Sequence, residues 1–219
     1  MKDVAAKVFN SVSKRYDSFL NAATFGFIHK WQDELLSKTP LKETILDVGT
    51  GTGEIVKKVL QKSPSSTVIG IDVAKEMVKQ AKRKNISATF IIADATKLPI
   101  KNSTADNLIF SLTYRHIPQE KLLDEIDRVL KKEGTVSILD IPKPPAFLYY
   151  LVLFFMEKVF RKFGEKLFSQ EEYDYFLHSV KFAPSFDEIR QRFKERNYKE
   201  VYSKKRLFGL ISLFVFQKN

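Results

Sequence analysis

Short apolar runs recur at 44–48, 67–71, 88–92, 107–112 and 135–139, too short for helices and bounded by turn residues. Each reads as a buried β-strand. Between them lie stretches with apolar residues at helical spacing, at 54–62, 74–83 and 120–132. The first ends before Pro64 and two serines, and the last before Gly134, a residue suited to a helix C-cap. Ahead of the first strand, residues 4–36 carry Val4, Val8, Val12, Phe19, Leu20, Trp31, Leu35 and Leu36 in a helical pattern. Alternating strand and helix units of this length predict a parallel sheet covered by helices on both faces, an α/β fold.

After the fifth strand the alternation stops. Pro142-Lys143-Pro144-Pro145 forms a stiff connector, followed by eleven apolar or aromatic residues without a charge, 146–156. Eleven residues cannot span a bilayer. Glu157, Lys158, Arg161, Lys162 and Lys166 then alternate with Val159, Phe160 and Phe163. Two compatible readings follow: a helix buried on the sheet, or an apolar lid over a greasy substrate that also touches a membrane surface. A further helix is expected at 185–195, then two closing strands, or one strand bent at Gly209, within 207–216. The expected organisation is one domain over 1–219, with a helical cap at 1–40 and an insertion over the substrate site at 141–184.

The chemistry starts at Ile45-Leu46-Asp47-Val48-Gly49-Thr50-Gly51-Thr52-Gly53-Glu54-Ile55. A strand ends in an acid, three glycines alternate with threonines, and a helix begins. Glycine lets backbone turn sharply and approach a ligand closely. Asp72, at the end of the second strand, stands where a nucleotide's ribose finds its acceptor. The dinucleotide pattern needs G-x-G-x-x-G with a pyrophosphate on the helix N-terminus. Here the spacing is G-x-G-x-G, and Glu54 in the first helical turn would repel a pyrophosphate. S-adenosylmethionine carries no phosphate and bears two cationic centres, so Asp47 and Glu54 suit it. The third and fourth strands end in Asp94-Ala95 and Ser111. Asp94 would accept the adenine amino group, because carboxylates are acceptors only; an ordinary helix-capping role is its alternative.

Composition narrows the picture. The 219 residues include no cysteine, which excludes disulfides, thiolate metal sites and methylation through a cysteine nucleophile. No metal site is expected. Neither a signal peptide nor an apolar run of membrane-spanning length is present, so a cytoplasmic protein is expected, with peripheral membrane contact as an option. The net charge of +11 is dispersed, enriched only near Lys57-Lys58, 79–84 and Lys204-Lys205-Arg206. That pattern fits a solvated or membrane-facing surface and lacks the basic tract and interleaved aromatics of a nucleic-acid platform. No nucleic-acid partner is expected, and the oligomeric state is not readable.

The N-terminal run Phe9-Asn10-Ser11-Val12-Ser13-Lys14-Arg15-Tyr16-Asp17, with Asn21, Gly26, His29 and Trp31, resembles the signature of the ubiquinone/menaquinone biosynthesis C-methyltransferases. The likeness continues through 47–53, 72–77, Asp94-Ala95-Thr96-Lys97-Leu98-Pro99, Arg128-Val129-Leu130-Lys131 and Ile141-Pro142-Lys143-Pro144. It covers most of 9–145 and weakens beyond. It implies a Rossmann-like class I methyltransferase with a seven-stranded, mostly parallel sheet whose last strand is antiparallel. It also implies methyl transfer to a ring carbon of a polyprenylated quinol or phenol.

Cofactor contacts then fall on Asp47, Gly49, Gly51, Thr52, Asp72, Asp94, Ala95 and Ser111. Where the family has Gly-Leu-Arg-Asn after the fourth strand, this chain has Thr113-Tyr114-Arg115-His116, and the closing Gly-Gly segment becomes Phe208-Gly209-Leu210-Ile211-Ser212-Leu213. These departures leave room for another lipid or aromatic acceptor, and a catalytically silent adenosylmethionine-binding scaffold stays open. A ring carbon becomes nucleophilic once the neighbouring hydroxyl ionises. Arg115 is the cation candidate for the phenolate, His116 the candidate to take the proton, and Tyr16 would cap the cofactor or orient the acceptor.

Overall fold

The computed structural model describes residues 2–84, 86–154, 158 and 169–219. Seven strands form one sheet: β1 (Thr44–Val48), β2 (Thr67–Asp72), β3 (Thr89–Ile92), β4 (Ala105–Ser111), β5 (Leu130–Asp140), β6 (Tyr198–Arg206) and β7 (Ile211–Lys218). Their order is β3-β2-β1-β4-β5-β7-β6. The first five pair in parallel, and β7 runs antiparallel between β5 and β6.

Alternation along each strand divides the core between two faces. Leu46, Val48, Leu108, Phe110, Val136, Ile138, Phe214 and Phe216 point to one side. There they meet α6 (Gln119–Val129) and α9 (Phe186–Glu195), with Phe193 stacked on Phe216 at 4.2 Å between centroids. Ile45, Val68, Ile109, Leu139, Leu213 and Val215 point to the other side. They meet α3 (Phe27–Lys38), α4 (Glu54–Lys62) and α5 (Lys75–Arg83). The strand order reverses where β1 lies between β2 and β4, which opens a crevice at the carboxyl ends of these strands.

The N-terminal stretch breaks into three helices: α1 (Lys2–Val12), α2 (Tyr16–Ala23) and α3. Phe25 and Gly26 take left-handed backbone, φ 49° and 75°, which interrupts the last two. Segment 141–184 contributes α7 (Ala146–Phe154) and α8 (Gln170–Lys181). In α8 a capping box joins Ser169 and Glu172, and the same device joins Ser185 and Glu188 at α9. Ser11 donates to the Glu172 carboxylate and Lys7 pairs with Glu171 at 2.6 Å, so α1 docks on α8. Phe155, Met156, Glu157, Val159, Phe160, Arg161, Lys162, Phe163 and Lys166 lie outside the described residues.

Three local expectations are corrected. The helix predicted over 120–132 stops at Val129, and Leu130 is already in β5 opposite Ala105. Burial of Leu130 and the 2.9 Å bond from Lys131 to Asp106 reward extended backbone there, overriding the helical period. Gly134 accordingly caps no helix; it lies in β5, where a Cβ would meet the Leu130 side chain at 2.7 Å. Residues 198–206, with no strand assigned from the sequence, form the edge strand β6, and 207–209 is a 3-10 turn ahead of β7 rather than a strand.

The loop after β1 turns on glycines in the left-handed region, with φ of 74° at Gly49 and 53° at Gly51. A Cβ on Gly49 would lie 2.1 Å from the Thr113 side chain, whereas one on Gly51 meets nothing within 4 Å. Gly49→Ala should therefore lower stability by about 1–3 kcal/mol or more, from strain and overpacking together, and Gly51→Ala by less. Denaturant midpoints of the two variants check the ranking.

Candidate active site

The loop between β1 and α4 is tied to the end of β2. Gly49 and Thr50 donate their backbone N–H groups to the Ile71 carbonyl at 2.7 and 2.9 Å. One Asp72 carboxylate oxygen accepts from the Gly51 N–H at 2.8 Å and the other from the Ala74 N–H at 2.8 Å. Thr50 donates its hydroxyl to Asp47 at 2.6 Å, while the other Asp47 oxygen is buried with no partner among the described residues. Burial, with the Asp72 charge nearby, pushes the Asp47 carboxyl up to about 7. Burial also raises Asp72, against the hydrogen bonds that hold its charged form.

These residues line one cavity of about 1100 Å³, counting its open mouth. Asp47, Gly49, Gly51, Thr52 and Asp72 lie along it, as do Asp94, Ala95 and Ser111. Asp94 also accepts from the Thr96 N–H and hydroxyl, both at 2.9 Å, so it turns the chain after β3 as well as facing the cavity. Ser111 accepts from Gln32 Nε2 at 3.3 Å, and the Gln32 carbonyl oxygen is buried with no partner among the described residues.

The same cavity also has apolar and aromatic lining from Phe9, Tyr16, Leu20 and Ile117, together with His116. Tyr16 lies edge-on to Phe9 with centroids 6.0 Å apart, and burial pushes its hydroxyl up to about 12. It is a neutral phenol at physiological pH. His116 sits in the turn after β4, and burial together with the adjacent Arg115 charge holds it well below the usual histidine range. Arg115 is not among the cavity-lining residues. Its guanidinium pairs with the buried Asp140 carboxylate and donates to the Leu112 carbonyl at 3.1 Å, while its backbone N–H donates to the same Asp140 at 2.8 Å. Among the described residues no His, Asp and Glu side chains cluster to hold a metal ion.

Comparison with known proteins matches residues 1–218 to the ubiE/COQ5 methyltransferase family. The chain belongs to this family. A demethylmenaquinone methyltransferase of Chlamydia caviae is 28% identical over 220 residues, covering 97% of this chain and 95% of its own length. The mitochondrial 2-methoxy-6-polyprenyl-1,4-benzoquinol methylase of Caenorhabditis elegans is 28% identical over 218 residues, covering 94% of this chain and 76% of its own. A solved S-adenosylmethionine-dependent methyltransferase from Aquifex aeolicus superposes with a TM-score of 0.60 at 21% identity, over 85% of this chain and 88% of its own, which shows the shared fold.

This methyltransferase therefore uses S-adenosylmethionine, and its cavity fits that cofactor. Asp72 offers unused lone pairs for ribose hydroxyls. The unpartnered oxygens of Asp47 and Gln32 are acceptors suited to an ammonium group. Sequence reasoning did not single out Gln32 or Asp17. Asp17 accepts from Thr52 at 2.6 Å and from Lys84 at 3.0 Å, and Lys84 also reaches Glu54 at 2.5 Å. These bonds fasten α2 across the glycine loop. The Arg-Tyr-Asp run carried the signal for Asp17, which directly follows Tyr16; Gln32 lies one residue beyond the noted Trp31.

Asp72→Ala should weaken adenosylmethionine binding by ~1.5–3 kcal/mol, because the ribose hydroxyls then lack a charged hydrogen-bond acceptor. Calorimetric titration checks the change in affinity. Asp47 yields a pH signature. Its folded value of about 7 lies above its ordinary 3.8, so between those limits the folded chain keeps a proton that the unfolded chain releases. Its contribution to stability falls as pH rises through that window and levels off above it. Asp47→Asn removes this titration, so the variant's melting temperature should gain on the native chain's from acid to neutral pH. Parallel melting curves would overturn the assignment.

Proposed function

We propose that this methyltransferase C-methylates the ring of a polyprenylated quinol or phenol precursor, as in menaquinone or ubiquinone biosynthesis. One observation carries the reading: a single cavity is lined both by Asp72 and the glycine loop, which suit adenosylmethionine, and by Phe9, Tyr16 and His116, which suit a flat ring. The names of the two relatives described above agree with it. When bound, adenosylmethionine supplies an electrophilic methyl group. The chain's own residues do the rest. Asp72, Asp94, Ala95, Ser111, Gly49, Gly51 and Thr52 position the cofactor, and Asp47 with Gln32 takes its amino-acid end. Phe9 and Tyr16 hold the ring and exclude water, and positioning of this kind can contribute roughly 7–11 kcal/mol to a bimolecular transfer. His116 meets the ring oxygen. Arg115 acts from behind: paired with Asp140, it fixes the turn that carries His116 and keeps that imidazole neutral.

The tail has a route. Helix α7 has no buried residue, so it is not a helix packed into the core. Phe147, Tyr150, Leu151 and Phe154 form one stripe at i, i+3, i+4 and i+7, and each is 59–78% exposed. We assign this stripe, within the 141–184 segment that covers the single domain's substrate site, to the surface of a membrane from which a prenyl chain enters. Each buried methylene would add roughly 0.8 kcal/mol. No helix among the described residues is long and apolar enough to cross a membrane.

Two measurements test this. Lipid extracts of a deletion strain should accumulate a quinone precursor lighter by one methyl group, which the purified enzyme converts; accumulation of an unrelated lipid or aromatic compound would assign a different acceptor. Leu151→Ser with Phe154→Ser should leave melting unchanged, because both side chains are exposed, yet raise KM for long-tailed acceptors about tenfold or more while sparing tail-less analogues. Equal effects on both acceptors would remove the membrane route.

A further inference from the structure

Tyr175, on α8, lies 59 positions from His116 in the chain, and its hydroxyl sits 2.9 Å from His116 Nδ1. The two rings stack with centroids 5.3 Å apart and planes 10° from parallel. Phe9 stands edge-on to both, at 5.4 Å from His116 and 6.1 Å from Tyr175. The other imidazole nitrogen, Nε2, is buried and has no partner among the described residues, in a residue that lines the cavity.

A neutral imidazole carries one N–H and one bare nitrogen, and the bond made by one nitrogen decides the state of the other. Of the two partners a phenol is the better donor and an imidazole nitrogen the better acceptor, so the bond runs from Tyr175 O–H to Nδ1. We propose that Tyr175 is a positioning residue that locks His116 as the Nε2–H tautomer, so that His116 offers the acceptor's ring oxygen a neutral hydrogen-bond donor and not a base. The surroundings agree. Burial and the Arg115 charge disfavour imidazolium, and burial pushes the Tyr175 hydroxyl up to about 12, so it keeps its proton.

The consequence is a change of role. A ring oxygen that gathers negative charge is stabilised by a donor already in place, which costs no reorganisation at the moment of reaction. The ring hydroxyl would give its proton to water at the open mouth of the cavity, the ring carbon would gain the methyl group as the methyl–sulfur bond breaks, and that carbon's own hydrogen would pass to water as aromaticity returns, with His116 neutral throughout. An asparagine at the same position would serve similarly, because its amide also donates. Helix α8 thereby supplies to the reaction centre a residue that no motif near the glycine loop announces.

This inference rests on the proposed ring acceptor for its catalytic meaning, but the tautomer is read without any acceptor. Nitrogen-15 NMR of histidine-labelled protein, with His116 assigned by its loss in His116→Asn, should show a protonated Nε2 and a bare Nδ1. In Tyr175→Phe, which keeps the stacked ring, the two nitrogen signals should move toward the average of a tautomer mixture. A protonated Nδ1 in the native protein, or signals unmoved by Tyr175→Phe, would overturn the proposal whatever the acceptor proves to be.

Turnover supplies the second arm. Tyr175→Phe should lower kcat by roughly 10-fold, the effect of one hydrogen bond, with adenosylmethionine affinity unchanged. In the His116→Asn background the same change should have no effect, since an amide needs no tautomer fixed. An equal loss in both backgrounds would make Tyr175 a packing residue and end the proposal.

Discussion

The carboxylate of Asp72 is the junction on which the cofactor end of this enzyme depends. It ends β2, yet its two oxygens accept backbone N–H groups from the loop after β1 and from the start of α5. A loop with three left-handed glycines has many alternative shapes in isolation. Two bonds donated by the loop to the Ile71 carbonyl and one to the Asp72 carboxylate select a single shape. The same bonds hold the acid beside the cavity it serves. Shape and charge are thus set by one group, and the cost of burying that charge is offset only in part by the backbone donors around it.

The roof of the cavity is assembled from parts far apart in the chain. The bonds among Lys84, Asp17, Thr52 and Glu54 fasten α2 over the glycine loop. Ser11 and Lys7 fasten α1 to α8. Between these two attachments lie Phe9, Tyr16, Tyr175 and Phe176, whose rings meet edge-on or at steep angles as their quadrupoles prefer. The bonds at the glycine loop are partly exposed ion pairs, individually weak and easily broken. Behind the site, by contrast, the buried Arg115–Asp140 pair is expensive to break, which suits a part that keeps the turn after β4 fixed.

Much of the framework could be read directly. Strands β1 to β4 and helices α4, α5 and α9 follow from apolar periods and turn residues, because those signals are carried by contiguous residues. The family signature at Arg15-Tyr16-Asp17 and the glycine loop led to the cofactor, and the acids at the ends of β1, β2 and β3 do line one cavity. Edge strand β6 escaped because its exposed residues Lys204 and Lys205 belong to a strand only by pairing with β7. The early start of β5 escaped for a related reason: Leu130 is extended because Ala105 lies opposite it, 25 residues away. Pairing energy of that kind leaves no local period.

The linear chain already specifies the class of the protein: an alternating α/β pattern, a glycine turn spaced for adenosylmethionine, and three acids in strand-end positions. What each catalytic candidate faces is settled by packing alone. Arg115, a charged residue beside the expected reaction centre, turns to Asp140 instead, because burying a guanidinium demands an acid at hydrogen-bonding distance. His116 meets Tyr175, a residue outside every motif that carried the resemblance in the sequence. Side-chain partners are chosen by three-dimensional proximity, and no spacing along the chain encodes which distant residue a buried polar group must find.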